Sequence, residues 1–296
     1  MAAEVKKIDL SNLISNGIFE EKWKQIMQEF YEKEKYDSET DMREVLGFSF
    51  SINPRTDCFM SKSSSLFELD KALAMHLWYT SGERDNDFIT TYFPEYKHCI
   101  DKKHILFNSN YGYYAYKLGL LDMCVNRLVK DNNTRQACFC INNNDAMSDE
   151  SIDKLCTNSI MFFIRDSKLE MFVQMRSSNI LSLLPYDIFM FQLFYDYVYV
   201  RLNRSVQFGK NKPYSIGSIN MQIASAHYKQ SQVPNIYTTT SFDDRIISLF
   251  WRSIDIIYAF MDKSLKNVNN RDNSVGSQNI FVDLSNIIKQ EENGTD

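Results

Sequence analysis

No apolar run in the 296-residue sequence approaches the ~18 residues that a membrane-spanning helix requires, so the expectation is a soluble protein with no membrane partner. A basic surplus is also missing. Thirty-three Lys and Arg face 38 Asp and Glu, for a formal net charge of -5, and that balance gives no field to hold a nucleic-acid polymer. A small anion held by a few local arginines is still compatible with it. The six cysteines (Cys58, Cys99, Cys124, Cys138, Cys140, Cys156) lack the paired spacing of a disulfide framework or a zinc ribbon. The opening stretch MAAEVKKIDLSNLISNGIF lacks the apolar core of a secretory leader. Reduced thiols and a cytoplasmic location are therefore expected. No internal repeat appears, which sets solenoids aside.

What is present is core-forming material: 44% hydrophobic and 14% aromatic residues, enough for one large core. EEKWKQIMQEFYEKEK places Trp23, Ile26, Met27 and Phe30 on one helical stripe. EVLGFSFSI reads as a strand, and SLFELDKALAMHLWYTSG as a buried helix stopped by Gly82. YKLGLLDMCVNRLVKDNNT is a helix running into an Asn-rich turn before the strand RQACFCIN. SIMFFI, the turn RDSK and LEMFVQMR form a hairpin with Leu169, Met171, Val173 and Met175 on one face and Glu170, Phe172, Gln174 and Arg176 on the other. DIFMFQLFYDYVYVRL is a strongly apolar helix and SIGSINMQIASAHY a strand; Ser241 can cap a helix over 241–266. Helices interleaved with strands that include a hairpin predict an α+β fold. The domain reading is an N-terminal helical segment (1–45), a main body (46–234), a helical extension (235–266) and a polar tail (267–296).

Several residues carry possible chemistry, each with a structural alternative. Cys156 opens a strand after a polar acidic loop, where a thiol can look into a pocket; a thiolate there would need Arg176, Arg135 or Arg201 nearby. It can equally be a buried structural cysteine. Cys138 and Cys140 share one strand face and, without a second pair or a histidine, read as core. His227 follows the small-residue run ASA and is either a ligand or a satisfied, partly buried ring. Arg176 and Ser177 could hold a phosphate by a charge-assisted fork plus a hydroxyl, or form an exposed ion pair. Asp187 in LLPYDIFMF is a carboxylate in apolar surroundings, or the charge that complements a helix start.

Four ordered stretches carry a resemblance. LCTNSIMFFIRDSKLEMFVQMRSSN resembles the nucleophile region of the thymidylate synthase superfamily, nearest to its phage-type deoxycytidylate hydroxymethylase branch. FNSNYGYYAY resembles that family's Tyr-Gly segment, NNTRQACF its arginine segment, and GSINMQIASAH its last ligand-binding strand. The resemblance spans about residues 105–232 and extends more weakly to residue 45. It implies an α+β fold with a large twisted mixed sheet, dimerising through that sheet, and a pyrimidine nucleoside monophosphate as ligand. It also implies 5,10-methylene-tetrahydrofolate as the one-carbon donor. Cys156 would add to C6 of the base, with Arg176 and Ser177 on the phosphate and Arg135 reaching across a homodimer. His227 would lie near the sugar hydroxyl, Tyr111 would line the base pocket, and Asp187, where the thymidylate branch has asparagine, would read the base. A carboxyl accepting from an exocyclic amine favours cytosine.

Departures cluster on the folate side. Met75 stands where the family has a glutamate, Asn179 where it has the pterin-contacting aspartate, and Leu183 where it has a glycine. Gln136 replaces a second arginine, Lys229 takes a tyrosine's place with Tyr228 one residue early, and an N-terminal phosphate arginine could be Arg43 or Arg55. The resemblance thus implies a deoxycytidylate 5-hydroxymethyltransferase-like enzyme. Its alternatives are a catalytically impaired nucleotide-binding subunit, or a uridylate- or ribonucleotide-specific methylase or hydroxymethylase.

Overall fold

The computed structural model describes residues 18–54, 57, 62–64, 67, 69–84, 87–99, 108–142, 152–207, 213–231 and 239–241. The chain divides into two compact units, Met1–Ser241 and Phe242–Asp296. The second unit, with the expected helix over 241–266 and the polar tail, lies outside the described residues; Ser241 itself ends a short strand.

Helix α1 (Ile18–Lys33) buries Trp23, Ile26, Met27 and Phe30, the stripe that the 3.6-residue period predicts. β1 (Lys35–Asp37) then lies where the sequence reading continued the helical segment, and a turn with Asp41 at φ 57 joins it to β2 (Met42–Ile52), which contains the expected strand EVLGFSFSI and begins two residues before it. Beyond the short β3 (Lys62–Ser64), α2 (Leu69–Ser81) ends at Gly82 with φ +62, as expected of a left-handed stop. Helix α3 (Asp87–Tyr92), a 3-10 helix (Pro94–Cys99) and a π-helical turn (Tyr113–Lys117) lead to α4 (Leu120–Lys130). The remaining elements are β4 (Cys138–Cys140), β5 (Thr157–Arg165), β6 (Lys168–Asn179), α5 (Leu184–Gln207), β7 (Ser215–Lys229) and β8 (Thr239–Ser241).

The main sheet has six strands in the order β1-β2-β7-β6-β5-β4, with β6 and β7 parallel and every other pair antiparallel. The fold is therefore mixed α+β with flanking helices, as the sequence pattern predicts. β5 and β6 join through Asp166 and Ser167, both at positive φ (49 and 59), the two-residue reversal whose twist matches the strands. Helix α5 is buried through Ile188–Val198, and Tyr195 fastens it to the sheet: its hydroxyl donates to Leu169 O (2.8 Å) and accepts from Gly217 N (2.9 Å).

One irregularity crosses the sheet. On β6 the buried positions run Leu169, Met171, Val173, Met175 and then shift parity to Ser178. The same shift falls between Ile223 and Ala226 on β7, between Phe48 and Val45 on β2, and between Ile160 and Thr157 on β5. These positions are in register, since Thr157 pairs with Met175, Met175 with Ile223, and Ile223 with Phe48. β5 carries a bulge between Thr157 and Ser159, and Gly47 on β2 sits at φ +69. The end of the sheet beyond this line therefore turns a different set of side chains inward, among them Thr157 and Ser178.

The edge strand β4 corrects one expectation. Cys138 and Cys140 do share a face, but it is the exposed one, and Phe139 between them is buried. An outermost strand is paired on one side only, and its solvent face accepts small thiols while the aromatic ring takes the core side.

At Gly112 the chain runs against the backbone of Tyr79 at the end of α2. A Cβ built there would lie 1.7 Å from Tyr79 O and 2.3 Å from Tyr79 C, although Gly112 has ordinary helical φ and ψ (-64 and -28). Space, and not backbone torsion, is what demands glycine. Gly112→Ala should therefore destabilise at the upper end of overpacking, about 3 kcal/mol in urea unfolding. Gly119→Ala, at φ +68 with nothing within 4 Å, should cost only backbone strain of about 1 kcal/mol. Equal midpoints for the two variants would contradict this.

Candidate active site

Cys156 lies immediately before β5, half-buried, where the 152–156 segment meets β6. Arg176 N donates to Cys156 O (2.8 Å), while its guanidinium clasps the same segment: Nε to Leu155 O (2.8 Å), Nη2 to Lys154 O (3.0 Å) and Nη1 to Ser177 Oγ (3.0 Å). Ser177 Oγ is in turn 3.9 Å from Cys156 Sγ. Three of the five N–H donors of Arg176 are thus held by this chain. No partner for the other two occurs among the described residues.

Of the three arginines considered as the thiol's cation, Arg176 is the one beside it. Arg201 pairs with Asp122 at 3.3 Å, and Arg135 is exposed on the loop between α4 and β4. Burial pushes the Cys156 thiol up, Arg176 pulls it down, and the carboxyls of Asp187 and Asp153 push it up again, leaving it above the ordinary thiol value. At rest Cys156 is a thiol, with the Arg176 cation beside it to stabilise a thiolate.

Tyr111 and Asp187 close on the same point. Tyr111 is buried; its hydroxyl accepts from Thr157 N (3.3 Å), and its ring stacks on Phe191 with centroids 6.5 Å apart and planes 7° apart. Burial raises its hydroxyl well above the usual tyrosine value, and the charges of Cys156 and Asp187 add to that. Because the oxygen accepts from Thr157, the tyrosine's own proton stays available to donate. Asp187, in the first turn of α5, is pushed up to about 7 by burial, offset in part by Ser178 Oγ donating to Oδ2 at 3.3 Å. A carboxyl poised there can act as donor or acceptor near neutral pH.

A second link holds the Tyr111 loop to the Cys156 segment. Asp153, buried at 8% exposure, accepts from Ser109 N (2.8 Å) and Ser109 Oγ (2.5 Å). Asn110 donates to Trp78 O (2.8 Å) and also to Glu83 O, fixing that loop to the end of α2. The cysteine and the tyrosine are therefore held from both sides by groups 44 residues apart in the chain.

Along the neighbouring strands, Ser177 pairs with Ser225, and Asn179 with His227, which in turn pairs with Glu44. Asn179 Oδ1 accepts from Leu181 N and Ser182 N (both 3.1 Å), shaping the turn into α5. Arg43 is joined to Glu34 at 2.5 Å, and Arg55 lies outside the described residues. In α2, Met75 and His76 are both buried, and no hydrogen bond reaches His76 Nε2.

The structure thus brings Cys156, Arg176, Ser177, Tyr111 and Asp187 together, with Asn179 and His227 on adjoining strands. Among the described residues no contact joins Arg135 to this cluster. Sequence reasoning missed Ser178, Asp153 and Ser109. Strict alternation along β6 points Ser178 outward, and the pairing of Asp153 with Ser109 leaves no mark in the sequence.

Comparison with known proteins places the fold. No family model matches the chain, and no curated protein matches it in sequence. Among solved structures it is similar to the thermostable thymidylate synthase A from Bacillus subtilis, with a TM-score of 0.54 and 15% identity, covering 74% of this chain and 82% of that one. The fold is thymidylate synthase-like. Among the described residues no helix is long and apolar enough to cross a membrane, and no cluster of metal-binding side chains occurs.

Two buried groups give opposite pH signatures. Burial lowers His76 to about 3, so the stability gained by burying it neutral is present above its ordinary 6.5 and is lost as pH falls from there. Asp187, raised to about 7 from 3.8, stabilises fully below 3.8 and loses that contribution as pH rises through 7. Asp187→Asn should therefore raise Tm relative to the parent at pH 8.5 and give little or no gain at pH 3.5. A gain of the same size at both pH values would show that Asp187 does not titrate in the folded chain near neutrality.

Proposed function

We propose that the protein is a pyrimidine-nucleotide C5 one-carbon transferase of the deoxycytidylate hydroxymethylase kind. One observation carries this reading: a cysteine, an arginine–serine pair, a buried tyrosine and a raised carboxyl converge from separate segments of a thymidylate synthase-like fold. Cys156 Sγ, deprotonated beside Arg176, forms a bond to C6 of the base while the C5–C6 π pair moves to C5. Splitting the substitution this way makes C5 a carbon nucleophile. The one-carbon unit would come from methylene-tetrahydrofolate as co-substrate, an electrophile at the oxidation level of formaldehyde. C5 would form a bond to the methylene carbon and then lose its proton, tetrahydrofolate would leave with the electron pair of its carbon–nitrogen bond, and water would add to the resulting exocyclic methylene carbon as the C6–S bond breaks with its pair returning to Cys156. Tyr111, a donor next to both Cys156 and Asp187, is the group placed to move protons over the base.

Asp187 is the base-reading residue in this account. Its ionised form accepts from the N4 amine of cytosine and repels O4 of uracil, whereas its protonated form tolerates either edge. Preference for cytosine should therefore grow as pH rises from 6 to 8. Arg176 and Ser177 hold the phosphate, and Arg135, exposed in one protomer, is free to serve a partner's site in a homodimer.

A second reading, nucleotide binding without turnover, is favoured by two observations. Met75 buries an apolar side chain at 3% exposure where the resemblance expects a glutamate, and the Asn179 carbonyl oxygen is already used by two backbone donors. Tritium release from C5-tritiated deoxycytidylate, with and without methylene-tetrahydrofolate, separates the two. Donor-dependent release that is abolished in Cys156→Ser supports the transferase. Binding without release supports the silent homologue, and release from deoxyuridylate alone would move the specificity to uracil.

A further inference from the structure

Ser178 is the one polar side chain in an otherwise apolar line across three strands. Its in-register neighbour on β7 is Ala226, which pairs in turn with Val45 on β2, and all three are buried. Neither neighbour offers a side-chain acceptor, and among the described residues the Ser178 hydroxyl has one partner, Asp187 Oδ2 at 3.3 Å. Asp187 is fixed from its backbone as well, its N donating to Leu183 O (2.9 Å) in the first turn of α5. The carboxyl is not sealed in. Leu184, Tyr186 and Ile188 around it are buried while Asp187 keeps partial exposure, so one side of it reaches open space. Among the described residues its Oδ1 has no hydrogen-bond partner.

We propose that Ser178 is a positioning residue for Asp187: by holding Oδ2 as an acceptor it leaves Oδ1 as the atom offered to a ligand, and it sets the pH at which the site begins to prefer a cytosine to a uracil edge. In the acid form the proton goes to Oδ1, because the carbonyl oxygen is the better acceptor for the Ser178 hydroxyl. The specificity half of this inference rests on the nucleotide reading above; the titration half rests on the chain's own hydrogen bond. A hydroxyl that donates to a carboxylate favours the ionised form, so removing it moves the Asp187 midpoint upward from about 7. The other groups that face this carboxyl do not obscure that movement. Tyr79 of α2 and Tyr111 are pushed well above the ordinary tyrosine value by burial, and Cys156 is held above the ordinary thiol value. The guanidinium of Arg176, beside Cys156, keeps its charge throughout. Asp153, also raised by burial, faces Tyr79 and Cys156.

The test has two arms on the full chain. Carbon-13 NMR of the aspartate side-chain carboxyls, with the Asp187 signal assigned by its loss in Asp187→Asn, should give a midpoint near 7 in the parent. Ser178→Ala should move that midpoint up by about one pH unit, the size of one hydrogen bond to a charged group. Ser178→Thr, which keeps the hydroxyl, should return it. If Ser178→Ala does not fold, Ser178→Cys keeps the volume with a weaker donor and should shift the midpoint the same way. An unmoved midpoint in the variant that folds overturns the proposal. In the second arm, the ratio of deoxycytidylate to deoxyuridylate affinity is followed from pH 6 to pH 9. The pH at which the ratio rises should move up in Ser178→Ala by the same amount as the NMR midpoint. Weaker binding of both nucleotides with that pH unchanged would make Ser178 a packing residue and overturn the proposal. A ratio that stays flat with pH in a parent that binds both nucleotides overturns the specificity half. Failure of the parent to bind either nucleotide sinks the nucleotide reading instead, with the NMR arm still deciding what Ser178 does to Asp187.

Discussion

The parity shift across β5, β6, β7 and β2 is the constraint on which the site depends. A regular sheet would keep Leu169, Met171, Val173 and Met175 in step with Ser177, leaving Ser178 to solvent. With the inward parity changed at paired positions of neighbouring strands, Ser178 comes inside to meet Asp187, and Thr157 is buried beside Cys156. A shift on one strand alone would break its pairing with both neighbours. Made in concert, it leaves the ladder intact and redirects only the side chains.

The second layer is electrostatic, and its contributions conflict by design of the pocket. Burial that raises Cys156 also raises Asp187 and Tyr111, so the thiol and the phenol are neutral at rest and the carboxyl partly so, beside the cation of Arg176. That cation is anchored by backbone carbonyls of Lys154 and Leu155, acceptors that carry no formal charge. A carboxylate partner would have neutralised its field. Anchoring it on carbonyls leaves the positive charge directed at the thiol and at any incoming phosphate.

Much of this was legible in the sequence, and the limits have physical causes. The α1 stripe, the stop at Gly82 and the β5–β6 hairpin follow from local periodicity and turn chemistry, which one stretch of chain encodes by itself. Cys156, Arg176 and Ser177 were readable because they lie on one hairpin. Cys138 and Cys140 were misread because burial of an edge strand depends on which face the rest of the sheet covers. Ser178 was hidden by a parity change that runs across several paired strands, and Asp153 with Ser109 by a separation of 44 residues. The sequence carries such long-range contacts only jointly, never in a motif.

Asp187 shows how far the geometry itself can narrow the chemistry. A carboxylate with several strong donors would be fixed as an acceptor, and one in a dry pocket without a donor would be fixed as an acid. Its single hydroxyl donor at 3.3 Å leaves it between these, at about 7. Both states are then populated under ordinary conditions, and a ligand that meets the carboxyl selects between them. On the proposed reading, an ionised carboxyl accepts from the cytosine amine but faces O4 of uracil with repulsion, whereas a protonated one can both donate to and accept from either edge. If it reads the base as proposed, the carboxyl discriminates most strongly when ionised, and the same burial that weakens its ionisation limits how selective the site can be at lower pH.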